Sequence, residues 1–160
     1  MPDVIVFNNP ATGIAKIIVP AYADPTRPLQ DTDNALVTRA RAKSVPLGVP
    51  FVVVPSQSIF SDRTFREAWS LTGNVLVVDM PKARVLHMNN IRKARDQELV
   101  KLDIPFLQAL ERQDLIEQQR IARMKQTLRD IPTTFNLEGA TTPDSLKAAW
   151  PSELPPRVPL

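Results

Sequence analysis

The sequence predicts an α+β protein in which a small mixed domain of about four strands precedes a long antiparallel helical hairpin and a short terminal helix. Two observations predict this fold. Short β-branched runs recur before residue 80, and helical periodicity continues almost unbroken after it. We therefore expect a mixed domain over residues 1–80 and a hairpin over 81–131. A proline-rich segment, 132–160, should follow, with a short helix over 143–150.

A β-hairpin is predicted at the start of the chain. Residues 3–8 and 14–19 are β-branched runs, and the link between them ends at Gly13, where a tight turn can require a positive φ. Three prolines between residues 20 and 30 predict an extended connector, because proline cannot donate to a strand ladder.

A short amphipathic helix is predicted after this connector. Asp31 is a plausible N-cap, and helical spacing places three apolar side chains on one face of the following turns. These three are Leu36, Val37 and Ala40.

Three more elements are expected to complete the mixed domain. Residues 50–55 form an apolar run between two prolines, which is typical of a brief strand that is buried or at an edge. Phe65 and Trp69 are four residues apart within 62–69, and this spacing predicts a helix with both rings on one face. A Gly-Asn turn then leads into another strand at 75–80.

The hairpin is predicted from two long helical patterns. The first arm covers residues 81–110, and Pro105 within it predicts a kink near Asp103 or Ile104. The second arm covers residues 114–131, with an aspartate as its N-cap and a proline immediately after its last residue.

The two arms are unequal in length. They would span about 45 Å and about 27 Å at 1.5 Å per residue. The second arm can therefore cover only the distal part of the first. We expect the proximal part, near Val85, Met88 and Ile91, to rest on the mixed domain or to stay exposed.

The two arms are also unequal in apolar surface. The second arm carries a narrow seam, whereas the first carries apolar residues around more than half of its circumference between residues 99 and 110. The seam consists of Ile121, Met124, Leu128 and Ile131. Because one narrow seam cannot cover the broader surface, we predict that the first arm docks onto a partner protein or a second copy. The residues predicted to bind this partner are Leu99, Leu102, Phe106, Leu107 and Leu110.

An alternative is that the kink at Pro105 folds the distal arm back onto the mixed domain, so that the broad stripe becomes ordinary core. A compact monomer would favour this alternative.

The residue inventory favours a non-enzymatic protein. The chain has no cysteine and a single histidine, His87, which is expected at the surface or at a helix cap. No glycine-rich phosphate loop or nucleophile motif occurs. We therefore predict no catalytic residue, no cofactor and no metal site.

Charge supplies the main alternative function. The net charge is +3, and its excess lies in residues 82–130. A nucleic-acid-binding accessory protein would use the basic face of the hairpin, formed by Arg92, Lys93, Arg95, Arg120 and Arg123. Acidic residues interspersed among these charges favour a solvated face instead. No apolar stretch is long enough to cross a membrane and no secretory signal is recognisable, so we expect a protein made in the cytosol.

Two C-terminal segments resemble a known group of proteins. KQTLRDIP (125–132), followed by TPDSLKAAWPSELPPR (142–157), resembles the end of phage tail assembly chaperones and tail fibre assembly proteins. DRTFREAW (62–69) and VDMPKARVLHMNNIRKARDQEL (78–99) are similar to small phage and prophage proteins. The resemblance covers about residues 60–157. It implies a non-enzymatic tail or tail fibre-associated protein, present in the bacterial host cytoplasm during assembly or retained in the virion tail.

Overall fold

The computed structural model describes residues 2–22 and 33–157, and the chain divides into two compact units, Met1–Asp79 and Met80–Leu160. Short antiparallel strands dominate the first unit, and long helices make up the second. The predicted α+β class, with a helical hairpin and a short terminal helix after a small strand-containing unit, is confirmed.

The first unit contains a three-stranded antiparallel sheet. Its strands are β1 (Asp3–Asn8), β2 (Ala15–Ile18) and β3 (Phe51–Pro55), in the order β2-β1-β3. The predicted hairpin is confirmed, with Ile5 opposite Ile18 and with Gly13 at φ 67° in the turn. The proline-bracketed run at 50–55 is an edge strand, as its flanking prolines suggest.

The central strand β1 is buried on both faces. Val4 and Val6 pack in a core cluster with Ala15 and Trp69. The helix α1 (Asp33–Ser44) also contacts β1 and buries Leu36 and Val37, whereas Ala40 is half-buried. The predicted cap Asp31 and most of the predicted connector lie outside the described residues.

The second sheet corrects one prediction. Residues 62–69 do not form a helix, because only a single 3₁₀ turn, Arg66–Ala68, is present and Trp69 begins a strand. That strand, β4 (Trp69–Thr72), pairs with β5 (Val75–Val78) across a turn with Gly73 at φ 59°. Strand pairing supplies hydrogen bonds that so short a helix could not sustain alone. The described residues thus contain five strands rather than about four.

The first arm of the hairpin consists of two helices, α2 (Met80–Lys101) and α3 (Asp103–Glu111). The break lies at Leu102, one residue before the predicted kink. Pro105 has no N–H to donate to the carbonyl of Lys101, so the regular ladder ends there. Leu102 N still donates to Glu98 O at 3.3 Å and to Leu99 O at 3.1 Å, which limits the break to one residue.

Two other helix ends differ from their predicted positions. The second arm, α4 (Leu115–Thr134), continues through Pro132 instead of stopping at Ile131. Proline removes one hydrogen bond, but Phe135 N donates to Ile131 O at 2.9 Å and continues the ladder beyond it. The terminal helix α5 (Pro143–Ala148) ends two residues early and begins with a capping box between Thr142 and Ser145.

The proximal part of α2 is covered by the C-terminal segment of the same unit, which the sequence did not predict. The helix α5 contacts α2, and the guanidinium of Arg84 donates to the carbonyl of Ala140 at 3.0 Å. Ala83 and Ile91 are fully buried, whereas Met88 is half-buried and Val85 is exposed. The sequence interpretation expected this stretch to rest on the mixed domain or to stay exposed, and it did not anticipate the contact of the C-terminal segment with α2.

Candidate docking site

The turn between the two arms is held by several backbone hydrogen bonds. Asp114 N donates to Ala109 O at 2.9 Å, and Gln113 occupies the left-handed region at φ 57°. Asp114 is the N-cap of α4, and its carboxylate accepts a hydrogen bond from Glu117 N at 3.0 Å. The predicted capping role of Asp114 is confirmed, and the turn has a well-defined conformation.

The part of the hairpin around this turn, residues 100–116, is named the tip. It carries six large apolar side chains that are each between 52% and 83% exposed. They are Val100, Ile104, Leu107, Leu110, Leu115 and Ile116. A single exposed apolar side chain is ordinary, but a concentration of six in so short a segment is typical of an interaction surface.

The five predicted docking residues differ in how exposed they are. Leu107 and Leu110 are more than half exposed, which argues against the alternative in which they are core. Leu99, Leu102 and Phe106 are half-buried.

Phe106 is shielded by a neighbouring charge on α4. Lys125 Nζ lies 4.9 Å from the centroid of the Phe106 ring, and the same ammonium group is 2.7 Å from Asp103 Oδ1. This contact stabilises the packing of α3 against α4. Phe106 therefore contributes to the packing between the arms more than to the exposed surface.

Leu102 lines a cleft of about 270 Å³ between the helix break and α4. Met124 and Leu128 also line it, together with the carboxylates of Glu98 and Glu153. One of these, Glu98, is paired with Lys101 at 2.6 Å. The other residues that line the cleft are Lys101 itself and Thr127.

Four of the six exposed residues of the tip are not among the five predicted docking residues: Val100 and Ile104 on the first arm, and Leu115 and Ile116 on α4. Leu115 and Ile116 follow the cap of α4 directly, and both are more exposed than any of the five predicted residues. The position of Ile116 on the helical wheel of α4 could have identified it as exposed. Ile116 lies about 140° around α4 from the buried Ile121, so it cannot belong to the seam that faces the first arm.

His87 is buried rather than at the surface, which corrects the prediction. Its exposed fraction is 0%, its Nε2 donates to the carbonyl of Ala149 at 2.7 Å, and its ring meets Trp150 edge-on at 5.9 Å. Burial lowers the pKa of His87 below 6.5, and the charge of Arg157 lowers it further, although the hydrogen bond to Ala149 opposes this. His87 thus helps to fasten the C-terminal segment to α2.

Some of the basic residues that could bind a nucleic acid form ion pairs with neighbouring carboxylates. The guanidinium of Arg120 makes two hydrogen bonds to Glu117, at 2.7 and 2.6 Å, and these hold the pKa of Glu117 below its ordinary value. Arg95 is paired in the same way with Asp96 at 2.7 Å. Ion pairs within a helix are typical of a solvated face rather than of a phosphate-binding surface.

Across residues 2–22 and 33–157, no group of three or more His, Asp or Glu side chains is close enough to hold a metal ion. In the same ranges no helix combines the length and the apolar character needed to span a membrane. A comparison with known proteins found no matching family model, no matching curated sequence and no matching solved structure. The resemblance to phage tail assembly proteins stays a prediction.

Proposed function

We propose that this chain is a non-enzymatic phage tail or tail fibre-associated protein that docks onto a tail protein through the tip of its helical hairpin. One observation supports the docking function above all others: the six exposed apolar side chains of residues 100–116. Full burial of a large apolar side chain contributes roughly 1.5–3 kcal/mol, so a partner that covers this surface gains substantial free energy.

Hydrogen bonds between the two helices define the conformation of the tip. Ala109 O accepts hydrogen bonds from Asp114 N and from the side chain of Gln118, which holds the start of α4 against the end of α3. A preformed element loses little conformational entropy on binding, which raises affinity without any new contact.

The phage context rests on the resemblance of residues 125–132 and 142–157. In the structure, the second of these segments packs on the first turns of α2, residues 80–91, which together with it are named the base of the hairpin. Leu146 and Pro151 are buried there, and Trp150 Nε1 donates to Pro155 O at 2.9 Å. If this chain and the tail assembly proteins share this segment, they could share an architecture in which the segment packs at the base and the tip is left free to bind a partner.

The test is particle association of paired substitutions. Leu107→Asp and Leu110→Asp, combined in one variant, place two charges on the tip and should remove the chain from assembled particles or assembly intermediates in cells that produce the phage. Leu47→Asp is the matched control, because Leu47 is fully exposed and lies in the first unit. Immunoblotting of purified particles measures the association, and circular dichroism of each purified variant verifies folding.

Equal recovery of the double variant and the wild type would contradict docking through the tip. The same proteins titrated with duplex DNA over a range of salt concentrations test the alternative. Binding that weakens steeply with salt and survives the double substitution would instead favour a nucleic-acid-binding function.

A further inference from the structure

The cleft at the helix break is bounded by three segments of the second unit. Leu102 lies between α2 and α3, Leu128 belongs to α4, and Glu153 belongs to the C-terminal segment. The neighbours of Glu153 are well packed, because Pro151 and Leu154 are buried and Leu154 N donates to Pro151 O at 3.2 Å. The C-terminal side of the cleft therefore has a defined position.

The apolar lining of the cleft comes from three side chains. Leu128 is buried, Leu102 is half-buried and Met124 is 41% exposed. The cleft volume of about 270 Å³ corresponds to about nine water molecules, at roughly 30 Å³ each. This volume is slightly below the range of pockets that take drug-sized ligands, so the cleft suits a chain of fewer than about ten heavy atoms.

The charged residues that line the cleft differ in their partners. Glu98 Oε1 lies 2.6 Å from Lys101 Nζ, so these two charges neutralise each other. Glu153 accepts a hydrogen bond from Ser152 Oγ at 3.3 Å, but in the described part of the chain no cationic side chain forms an ion pair with it. An apolar cleft with one such carboxylate at its edge is complementary to a cation that carries an apolar stem.

We infer that this cleft binds an alkylammonium group, with its alkyl stem against Leu102, Met124 and Leu128 and its ammonium group at Glu153. Lys101 already shows half of this arrangement, because it lines the cleft and its own ammonium group binds Glu98. Alkylammonium groups occur in free alkyl amines and in lysine side chains. With a pKa of about 10.4 they are charged at pH 7.

Four small probes separate the contribution of charge from that of apolar contact. Hexylamine, which is cationic at pH 7, is compared with the neutral 1-hexanol, the anionic hexanoate and the cationic methylamine, which lacks the stem. Each probe is titrated into the isotope-labelled full chain. Methyl and amide chemical shifts give the binding position and the dissociation constant.

Hexylamine should shift the methyl signals of Leu102, Met124 and Leu128. It should bind about two- to fivefold more tightly than 1-hexanol, the advantage expected of an exposed ion pair. Hexanoate should bind more weakly than 1-hexanol, and methylamine should leave the methyl signals unchanged. Ionic strength of about 1 M should reduce the advantage of hexylamine, because charges are then screened beyond about 3 Å. Equal or tighter binding of 1-hexanol, or shifts that do not include the cleft residues, would overturn the proposal.

A matched pair of substitutions tests the role of Glu153. Glu153→Gln keeps the shape of the side chain and removes its charge, so hexylamine should lose its advantage while the affinity for 1-hexanol is unchanged. Glu111→Gln is the control, since it makes the same charge change at an exposed residue at the end of α3 that does not line the cleft. An advantage that survives Glu153→Gln, or that both variants lose equally, contradicts an ammonium site at Glu153.

A substitution in the apolar lining tests the site of the stem. Met124→Ala should weaken hexylamine and 1-hexanol by the same factor, because both probes use this wall. Unchanged affinity for both probes would overturn the assigned position of the stem. Circular dichroism verifies that each variant is folded.

A further probe distinguishes the two sources of the ligand. Nα-acetyl-lysine amide carries the same ammonium group on a four-carbon stem attached to a peptide backbone. Tighter binding of this probe than of hexylamine identifies the ligand as a lysine side chain of a protein, whereas tighter binding of hexylamine identifies it as a free alkyl amine. Binding of neither probe at the cleft overturns the inference.

Discussion

The two ends of the hairpin differ in how much of their apolar surface is buried. At the base, the C-terminal segment packs onto α2, and Ala83, His87 and Ile91 are fully buried. At the tip, six large apolar side chains are more than half exposed although they belong to the same arm or its partner helix. The C-terminal segment covers apolar surface at the base, whereas these six side chains of the tip are left uncovered. The tip is therefore the part of the hairpin available for a partner.

A matched pair of leucine truncations gives the largest expected difference between base and tip. Leu146 in α5 is fully buried, so Leu146→Ala should lower the free energy of unfolding of the second unit by about 2–5 kcal/mol. Leu107 is more than half exposed, and Leu107→Ala should change it by about 0.5 kcal/mol or less. Urea unfolding measures both values.

Trp150 reports on the second unit if the other tryptophan is removed. Trp69→Phe leaves Trp150 as the only tryptophan, so its fluorescence follows the base of the hairpin without a signal from the first unit. Equal destabilisation by the two leucine substitutions would mean that the tip is as well packed as the base. That result would contradict the proposed docking surface.

The elements that the sequence predicted well are those with a local signal. The β1–β2 hairpin follows from two β-branched runs and Gly13, and the capped start of α4 follows from Asp114. Helical spacing was misleading at Phe65 and Trp69, because both rings are buried but the hairpin ladder that pairs Trp69 with Val78 decides the local conformation. Pairing between separate segments overrides local spacing.

The candidate site could be predicted only in part for a related reason. Excess apolar residues on the first arm were visible in the sequence, and Leu107 and Leu110 are indeed exposed. Which of the others are covered depends on contacts made far along the chain, such as that of Lys125 with Phe106. The burial of His87 also depends on such a contact, since Ala149 lies 62 positions away and no local pattern marks it.

The pH dependence of stability should separate base from tip further. The pKa of His87 is lowered from 6.5 by burial, so the folded second unit disfavours the protonated ring. As pH falls below 6.5, the unfolded chain takes up a proton that the folded unit does not, and the free energy of unfolding decreases until the lowered folded pKa is reached. Above 6.5 this contribution is fully present.

Urea unfolding between about pH 7.5 and pH 5.5 measures the effect, because ordinary carboxylates titrate below this window. His87→Gln is the control: its amide nitrogen can donate to Ala149 O in place of the ring Nε2, but it does not titrate. The variant should show a flat profile over the same window. A wild-type profile as flat as that of the variant would contradict the role of His87 in fastening the base.

The smallest expected effect lies at the apex of the tip and has the opposite sign. Gln113 is the one described residue other than glycine with a positive φ, and a residue with a Cβ is disfavoured in that conformation. Gln113→Gly should remove this strain, offset in part by the greater freedom of glycine in the unfolded chain, for a net gain of about 0.5 kcal/mol in unfolding free energy. Its side chain is not among the six apolar residues of the tip, so association of the variant with assembled particles should be unchanged. Lower stability of the glycine variant, measured by the same urea unfolding, would show that the left-handed turn is maintained by contacts of the Gln113 side chain rather than by the hydrogen bonds between α3 and α4.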